Sequence, residues 1–270
     1  MSKNRLFLLI LLLIIGCQGA GIGQDNSISP GNEQGISSPN PIPEDKLDKQ
    51  LKINRDALLA GSSEQIRIDA ATVMLESPDP LARKILLAIL NQPESKAAHI
   101  AICKALNQAR TGQKAIKQKS DFIQPLLHII TTQEDEVAKL AAEATLIFEY
   151  EQISKPLEKL VSDPSLPVKA RLNAIYALKL QPDMRAIFKL IELLDDPQSQ
   201  VAIQAQNALH SLGIPVGKDA QTRKQIINEL KRKGKNGFLK DWLIRQEAQM
   251  RQLAAELEFW QTQYLSALDK

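Results

Sequence analysis

The side chains best suited to chemistry in this sequence are three histidines and two cysteines, and their spacing limits what they can do. His99, His128 and His210 lie far apart, none is followed directly by glutamate, and no two have the spacing of helical zinc ligands. The sequence also contains neither a glycine-rich phosphate-binding loop nor a Gly-x-Ser-x-Gly motif. These patterns predict no catalytic site, no metal site and no bound cofactor, so we do not expect an enzyme.

The first cysteine, Cys17, follows an apolar run that begins after two positive charges, Lys3 and Arg5. The run is too short for a comfortable membrane span, so residues 1–16 are predicted to be an export signal. Residues 14–17, Ile-Ile-Gly-Cys, resemble the lipobox of bacterial lipoproteins. The resemblance implies cleavage before Cys17, acylation of its thiol and of the new amino terminus, and anchoring to a membrane of the bacterial envelope, facing the periplasm or the cell surface. An ordinary secretory signal and an uncleaved anchor are the alternatives.

The second cysteine, Cys103, lies within a predicted helix and is expected to be a small buried apolar residue. With Cys17 acylated, no disulfide can form between the two cysteines within the chain.

A helical repeat sets the positions of most other residues. Each copy has an anchor residue and apolar residues, mostly alanine, four and seven positions later, and all but one copy have a large apolar residue at eight. These positions share one face of an α-helix. Alanine at these positions allows close helix approach, and each hairpin then has an apolar stripe that only a neighbouring hairpin can bury. The anchors are separated by 32, 39, 33 and 31 residues, a period typical of stacked hairpins; they are Ile66, Ala98, Val137, Ala170 and Val201.

Over residues 58–212 this pattern resembles the HEAT-repeat family. The resemblance implies an all-α fold, a right-handed superhelical α-solenoid of HEAT-like hairpins ending in a long C-terminal helix, and specifies function hardly at all. Some arrays of this kind, the deoxyhypusine hydroxylases, hold di-iron in His-Glu pairs, which this sequence lacks. The matching residues are the helix prolines Pro125 and Pro156, the turn aspartates Asp163, Asp195 and Asp196, expected to cap the helices after them, and Arg67 and Arg171 directly after their anchors.

Composition divides the chain into four predicted segments. Residues 1–16 are the signal, residues 17–43 a flexible Gly-, Ser-, Asn- and Pro-rich tether, residues 44–212 the repeats with an N-terminal cap helix, and residues 213–270 a helical cap or coiled coil. The net charge is +3, and two of these charges precede the apolar run of the signal, so nucleic acid is not an expected partner.

Candidate partner-binding residues occur on the second helix of each hairpin. The positions three and six residues after an anchor form a stripe of mixed polarity that is either a peptide-binding groove or a solvated face. The stripe residues predicted to bind a partner are Asp69, Lys104, Glu143, Tyr176 and Asn207.

The final predicted helix, residues 238–269, has apolar residues at alternating three- and four-residue steps, interrupted by Gln246. This spacing predicts either a coiled-coil seam or a cap over the last hairpin, with the cap favoured because an array must close its final apolar face. Both tryptophans of the chain, Trp242 and Trp260, lie here and are candidate protein contacts.

Together these patterns predict a non-catalytic, lipid-anchored scaffold that presents a helical-repeat surface to an unknown protein or peptide in the cell envelope. Two alternatives remain. The first alternative is a HEAT-like enzyme or an accessory protein that handles a chromophore or a metal, as the architectural likeness to phycobilin lyases suggests. The second alternative is a structural envelope component that self-associates through its C-terminal helix.

Overall fold

The computed structural model describes residues 47–133, 135–217 and 219–268, and these residues form α-helices and short 3₁₀ turns without any β-strand. The all-α prediction is confirmed for these residues. The predicted signal, the tether and Cys17 lie outside them. The helices are α1 Lys49–Ala60, α2 Glu64–Glu76, α3 Pro80–Leu90, α4 Lys96–Thr111, α5 Ile123–Thr132, α6 Asp135–Ala144, α7 Tyr150–Ser162, α8 Val168–Leu180, α9 Met184–Glu192, α10 Ser199–Ser211 and α11 Ala220–Leu268.

Side-chain caps explain where several helices begin. The carboxylate of Asp48 accepts from the backbone N–H of Leu51 at 2.6 Å, and that of Asp79 from Leu81 at 2.8 Å. Each satisfies an N–H that has no partner inside the helix. The expectation that turn aspartates cap α8 and α10 is wrong, because neither helix has a side-chain cap. Asp163 bonds within its own turn, and the turn aspartate Asp196 is bound by Arg171.

The chain divides into two compact units, Met1–Glu149 and Tyr150–Lys270. In the first unit, α1 packs on α2, α3 on α4 and α5 on α6, which makes three hairpins. The second helices also pack on one another in sequence, α2 against α4 and α4 against α6. In the second unit α7 packs on α8, α9 on α10, and α8 on α10. Each unit therefore contains helical hairpins whose second helices are neighbours.

The repeated alanines lie at these helix contacts. In the second unit Ala174 and Ala177 of α8 and Ala205 and Ala208 of α10 are all buried. Small side chains let the two helices approach closely, and that approach removes their apolar faces from water. The predicted burial of the repeated alanines is confirmed for these hairpins.

The repeat pattern is only partly confirmed in the first hairpin. Ile66 and Val73 are 43% and 51% exposed, although the repeat places them in the core. Two of the expected positions, Ala70 and Met74, are buried as predicted, and Ile68, Ala71 and Leu75 complete the buried face of α2. Several apolar residues share this helix, and the contact with α4 selects which of them are covered.

Helix α11 is interrupted at Gly234, whose φ of 66° and ψ of 176° lie outside the helical region. This conformation is accessible to glycine and strongly unfavourable for residues with a Cβ. Four basic residues, Lys231, Arg232, Lys233 and Lys235, surround this glycine, and the chain resumes its helix at once on the other side. We call residues 235–268, the part of α11 after Gly234, the second arm. The bend makes its direction differ from that of the part before Gly234.

Candidate protein-binding surfaces

Three of the predicted partner-binding residues lie on neighbouring helices of the first unit. Asp69 is exposed on α2, and Lys104 and Glu143 are half-buried on α4 and α6. Lys104 Nζ is 2.6 Å from Glu64 Oε1, so an ion pair joins α4 to α2. Because α4 contacts both α2 and α6, these three residues lie on consecutive second helices of the first unit.

The second unit holds two more of these residues on the adjacent helices α8 and α10. Tyr176 is half-buried and Asn207 is exposed. The ammonium of Lys179 lies 5.1 Å from the centre of the Tyr176 ring, a cation–π contact. Burial lowers the pKa of Lys179, which is consistent with a partly desolvated ammonium. These contacts are polar and mixed in charge, as the sequence predicts for this stripe.

Burial shifts the pKa of two interior side chains, Cys103 and His99, towards their neutral forms. Burial, assisted slightly by the negative charge of Glu143, raises the pKa of the Cys103 thiol to about 12. Because the thiolate is the reactive form, Cys103 behaves as a small apolar core residue. His99 is fully buried, and its Nε2 lies 2.9 Å from the carbonyl oxygen of Ile89.

Three basic side chains near the starts of second helices satisfy carbonyl groups at the ends of the helices before them. Such carbonyls lack intrahelical partners and carry the negative end of the helix dipole, so a cationic or N–H donor stabilises them. These donors are structural, and they explain why basic residues recur there. The pairs are Arg67 with Gly61, His99 with Ile89, and Arg171 with Val161.

A cavity of about 490 Å³ lies in the first unit between the end of α2, the start of α3 and the long loop after α4. Its walls are mainly apolar, including Leu86 and Phe122, and its charged lining residues are Asp79, Arg83 and Lys117. Arg83 Nε is 3.0 Å from Asp121 Oδ2, which positions the guanidinium. Sequence reasoning did not predict this cavity, although the long spacing of 39 residues between anchors marks the loop that encloses it.

The two tryptophans of α11 occupy different environments. Trp242 is half-buried, and its ring centre is 5.8 Å from that of the buried Phe238. Trp260 is 67% exposed and contacts the ring of Phe259 edge-on at 5.5 Å. Trp242 therefore belongs to the packing of its own unit, and Trp260 is available to a partner.

The first part of the second arm docks on the end of α10. Arg245 Nη1 donates to the carbonyl oxygens of Leu212 at 3.3 Å and Gly213 at 3.1 Å. Gln249 Nε2 donates to the carbonyl oxygen of Ser211 at 2.8 Å. These bonds satisfy carbonyls that the end of α10 leaves unpaired.

Beyond Gln249, apolar side chains of α11 face solvent along one side of the helix. We call this row the seam, and its members are 45% to 67% exposed. Singly exposed apolar residues are common, whereas large contiguous apolar patches are rare on the surface of monomeric soluble proteins. The seam consists of Met250, Leu253, Leu257, Trp260 and Tyr264.

The chain matches no protein-family model, and it matches no curated protein. In the part of the chain that the structure describes, no cluster of three or more His, Cys, Asp or Glu side chains is arranged to hold a metal ion. Across those same residues, none of the helices combines the length and the apolar character needed to cross a membrane.

Proposed function

We propose that this protein is a non-catalytic scaffold, anchored by lipid at Cys17 in the bacterial envelope, that binds protein through its helical surfaces. Its hairpins form a right-handed, HEAT-like solenoid. The packing of α2 on α4, α4 on α6, and α8 on α10 supports this architecture, because rows of second helices are what stacked hairpins produce.

The exposed seam carries the proposal. Five large apolar side chains in fifteen residues would be costly to leave in water, and a helical partner can bury them as anchors in its own groove. The second helices of each unit supply more polar surfaces, with Lys104 in the first unit and Tyr176 in the second.

The proposal is tested by capturing partners of the full-length chain from gently solubilised membranes. The test variant is Leu253→Asp with Leu257→Asp, and the matched control is Gln252→Asp with Thr262→Asp, which adds the same residues off the seam. We expect proteins bound by the wild type and the control to be lost from the seam variant. Equal capture by all three chains would contradict the proposal.

The anchoring is tested separately. Mass spectrometry of the mature amino terminus should find acylated Cys17, and Cys17→Ser should move the protein out of the membrane fraction. An unmodified Cys17 in membrane-bound protein would contradict the lipid anchor.

The cavity of the first unit favours a second candidate, a protein that carries a small molecule. Its volume lies in the range of ligand pockets, and its mainly apolar walls suit a small apolar molecule. Native mass spectrometry of the purified protein tests this candidate: a stoichiometric bound molecule would favour it over the scaffold.

A further inference from the structure

We infer that the seam of α11 pairs with the seam of a second copy of this chain to form a short two-stranded coiled coil. The inference rests on the proposed function, because it names the partner of the surface that carries that proposal.

The spacing of the seam fits this partner. Met250, Leu253, Leu257, Trp260 and Tyr264 follow one another at steps of three, four, three and four residues. An average step of 3.5 keeps apolar residues facing a partner helix that winds around the first one, and this is the heptad pattern of coiled coils. The segment spans roughly 20 Å at 1.5 Å per residue.

The exposed area is sufficient for a modest dimer. With side chains 45% to 67% exposed, two copies of the seam would bury roughly 1,200 Å² of surface, the lower end of the standard range for specific interfaces. Copies tethered to one membrane meet at a raised effective concentration, which favours a weak interface.

The residues beside the seam permit self-pairing. Among the flanking positions Ala254, Glu256 and Gln261, only Glu256 is charged. In a parallel, in-register pair Glu256 lies beside Gln261 of the second copy, so no like charges oppose each other.

The charged residues of this segment disfavour an anionic membrane as the binding partner of the seam. Residues 250–264 carry one basic residue, Arg251, and two acidic residues, Glu256 and Glu258. Helices that lie on anionic lipid carry a basic polar face, which this segment lacks.

The test uses two differently tagged full-length copies expressed together, with one purified and the other measured. Trp260 and Phe259 are adjacent aromatic residues of similar exposure, 67% and 56%, but only Trp260 belongs to the seam. We expect wild type and Phe259→Ala to co-purify with their second copy, and Trp260→Ala to reduce co-purification by roughly tenfold or more. Circular dichroism checks that the helix content is unchanged.

Equal loss in both variants would overturn the inference, since it would indicate a general apolar or lipid-dependent association. No co-purification in the wild type would overturn it as well. If the copies do not pair while another protein is captured through Leu253 and Leu257, the scaffold proposal stands and this inference falls. If neither is found, both fall.

Discussion

Arg171 and Asp196 form an enclosed ion pair, with side chains that are 1% and 9% exposed. Arg171 Nη1 donates to Asp196 Oδ1 at 3.2 Å, Nη2 donates to Oδ2, and Nε donates to the Val161 carbonyl at 3.0 Å. Burial raises the pKa of Asp196, but hydrogen bonds from Arg171 and from the backbone N–H of Gln198, together with the Arg171 charge, outweigh it and lower the pKa. The pair ties α8 to the end of α7 and to the turn before α10.

Replacing Arg171 by methionine should destabilise the protein by about 3–5 kcal/mol, because Asp196 is left buried without its counter-charge. Urea unfolding followed by circular dichroism measures the change. The control is Arg67→Met, where the guanidinium donates to the Gly61 carbonyl and the loss should be about 1–2 kcal/mol. Equal losses would show that the ion pair is not the source of the effect.

His99 predicts a pH dependence of stability. Burial and nearby His128 lower its pKa, and hydrogen bonds to the backbone of Ile89 and Gln92 offset this only in part. Nε2 donates to the carbonyl oxygen of Ile89 at 2.9 Å, and protonation would place a positive charge on a ring that is removed from water. Because the folded pKa lies below the unfolded value of about 6.5, the stabilisation is complete above that pH and is lost as the pH falls toward the folded pKa.

The free energy of unfolding should therefore decrease as the pH falls below about 6.5 towards the folded pKa, by at most about 1.4 kcal/mol per pH unit from this group. His99→Gln keeps a donor for Ile89 without titrating and should flatten the slope. The matched variant His128→Gln alters an exposed histidine and should leave most of the slope. A slope unaffected by His99→Gln would contradict the assignment.

Enlarging a contact alanine should disrupt the packing of α8 on α10. Ala205 is fully buried and Ala202, on the same helix, is half-exposed. Ala205→Leu should cost about 1–3 kcal/mol by overpacking, while Ala202→Leu should stay within about 0.5 kcal/mol. Thermal unfolding distinguishes them, and equal midpoints would argue against close helix contact at Ala205.

The two tryptophans permit a spectroscopic test of the seam. In Trp242→Phe only Trp260 emits, and acrylamide should quench it strongly at low protein concentration and less as copies pair. In Trp260→Phe only the half-buried Trp242 emits, and its quenching should be weaker and independent of concentration. Constant quenching of Trp260 over the whole range would speak against self-association.

Periodicity was enough to predict an all-α chain and the buried faces of α8 and α10, since alanines at fixed offsets can only share one side of a helix. It could not fix the face of α2, where Ile66 and Ile68 are equally apolar and contact with α4 decides which is covered.

The sequence of the last helix likewise determined a 3.5-residue spacing without determining its use. Tertiary structure decided that Arg245 and Gln249 dock on the end of α10 while Trp260 remains exposed. The reason is that the local sequence pattern specifies which side of a helix is apolar. The bend at Gly234 and the carbonyl groups at the end of α10 determine which part of that side is covered by the rest of the unit.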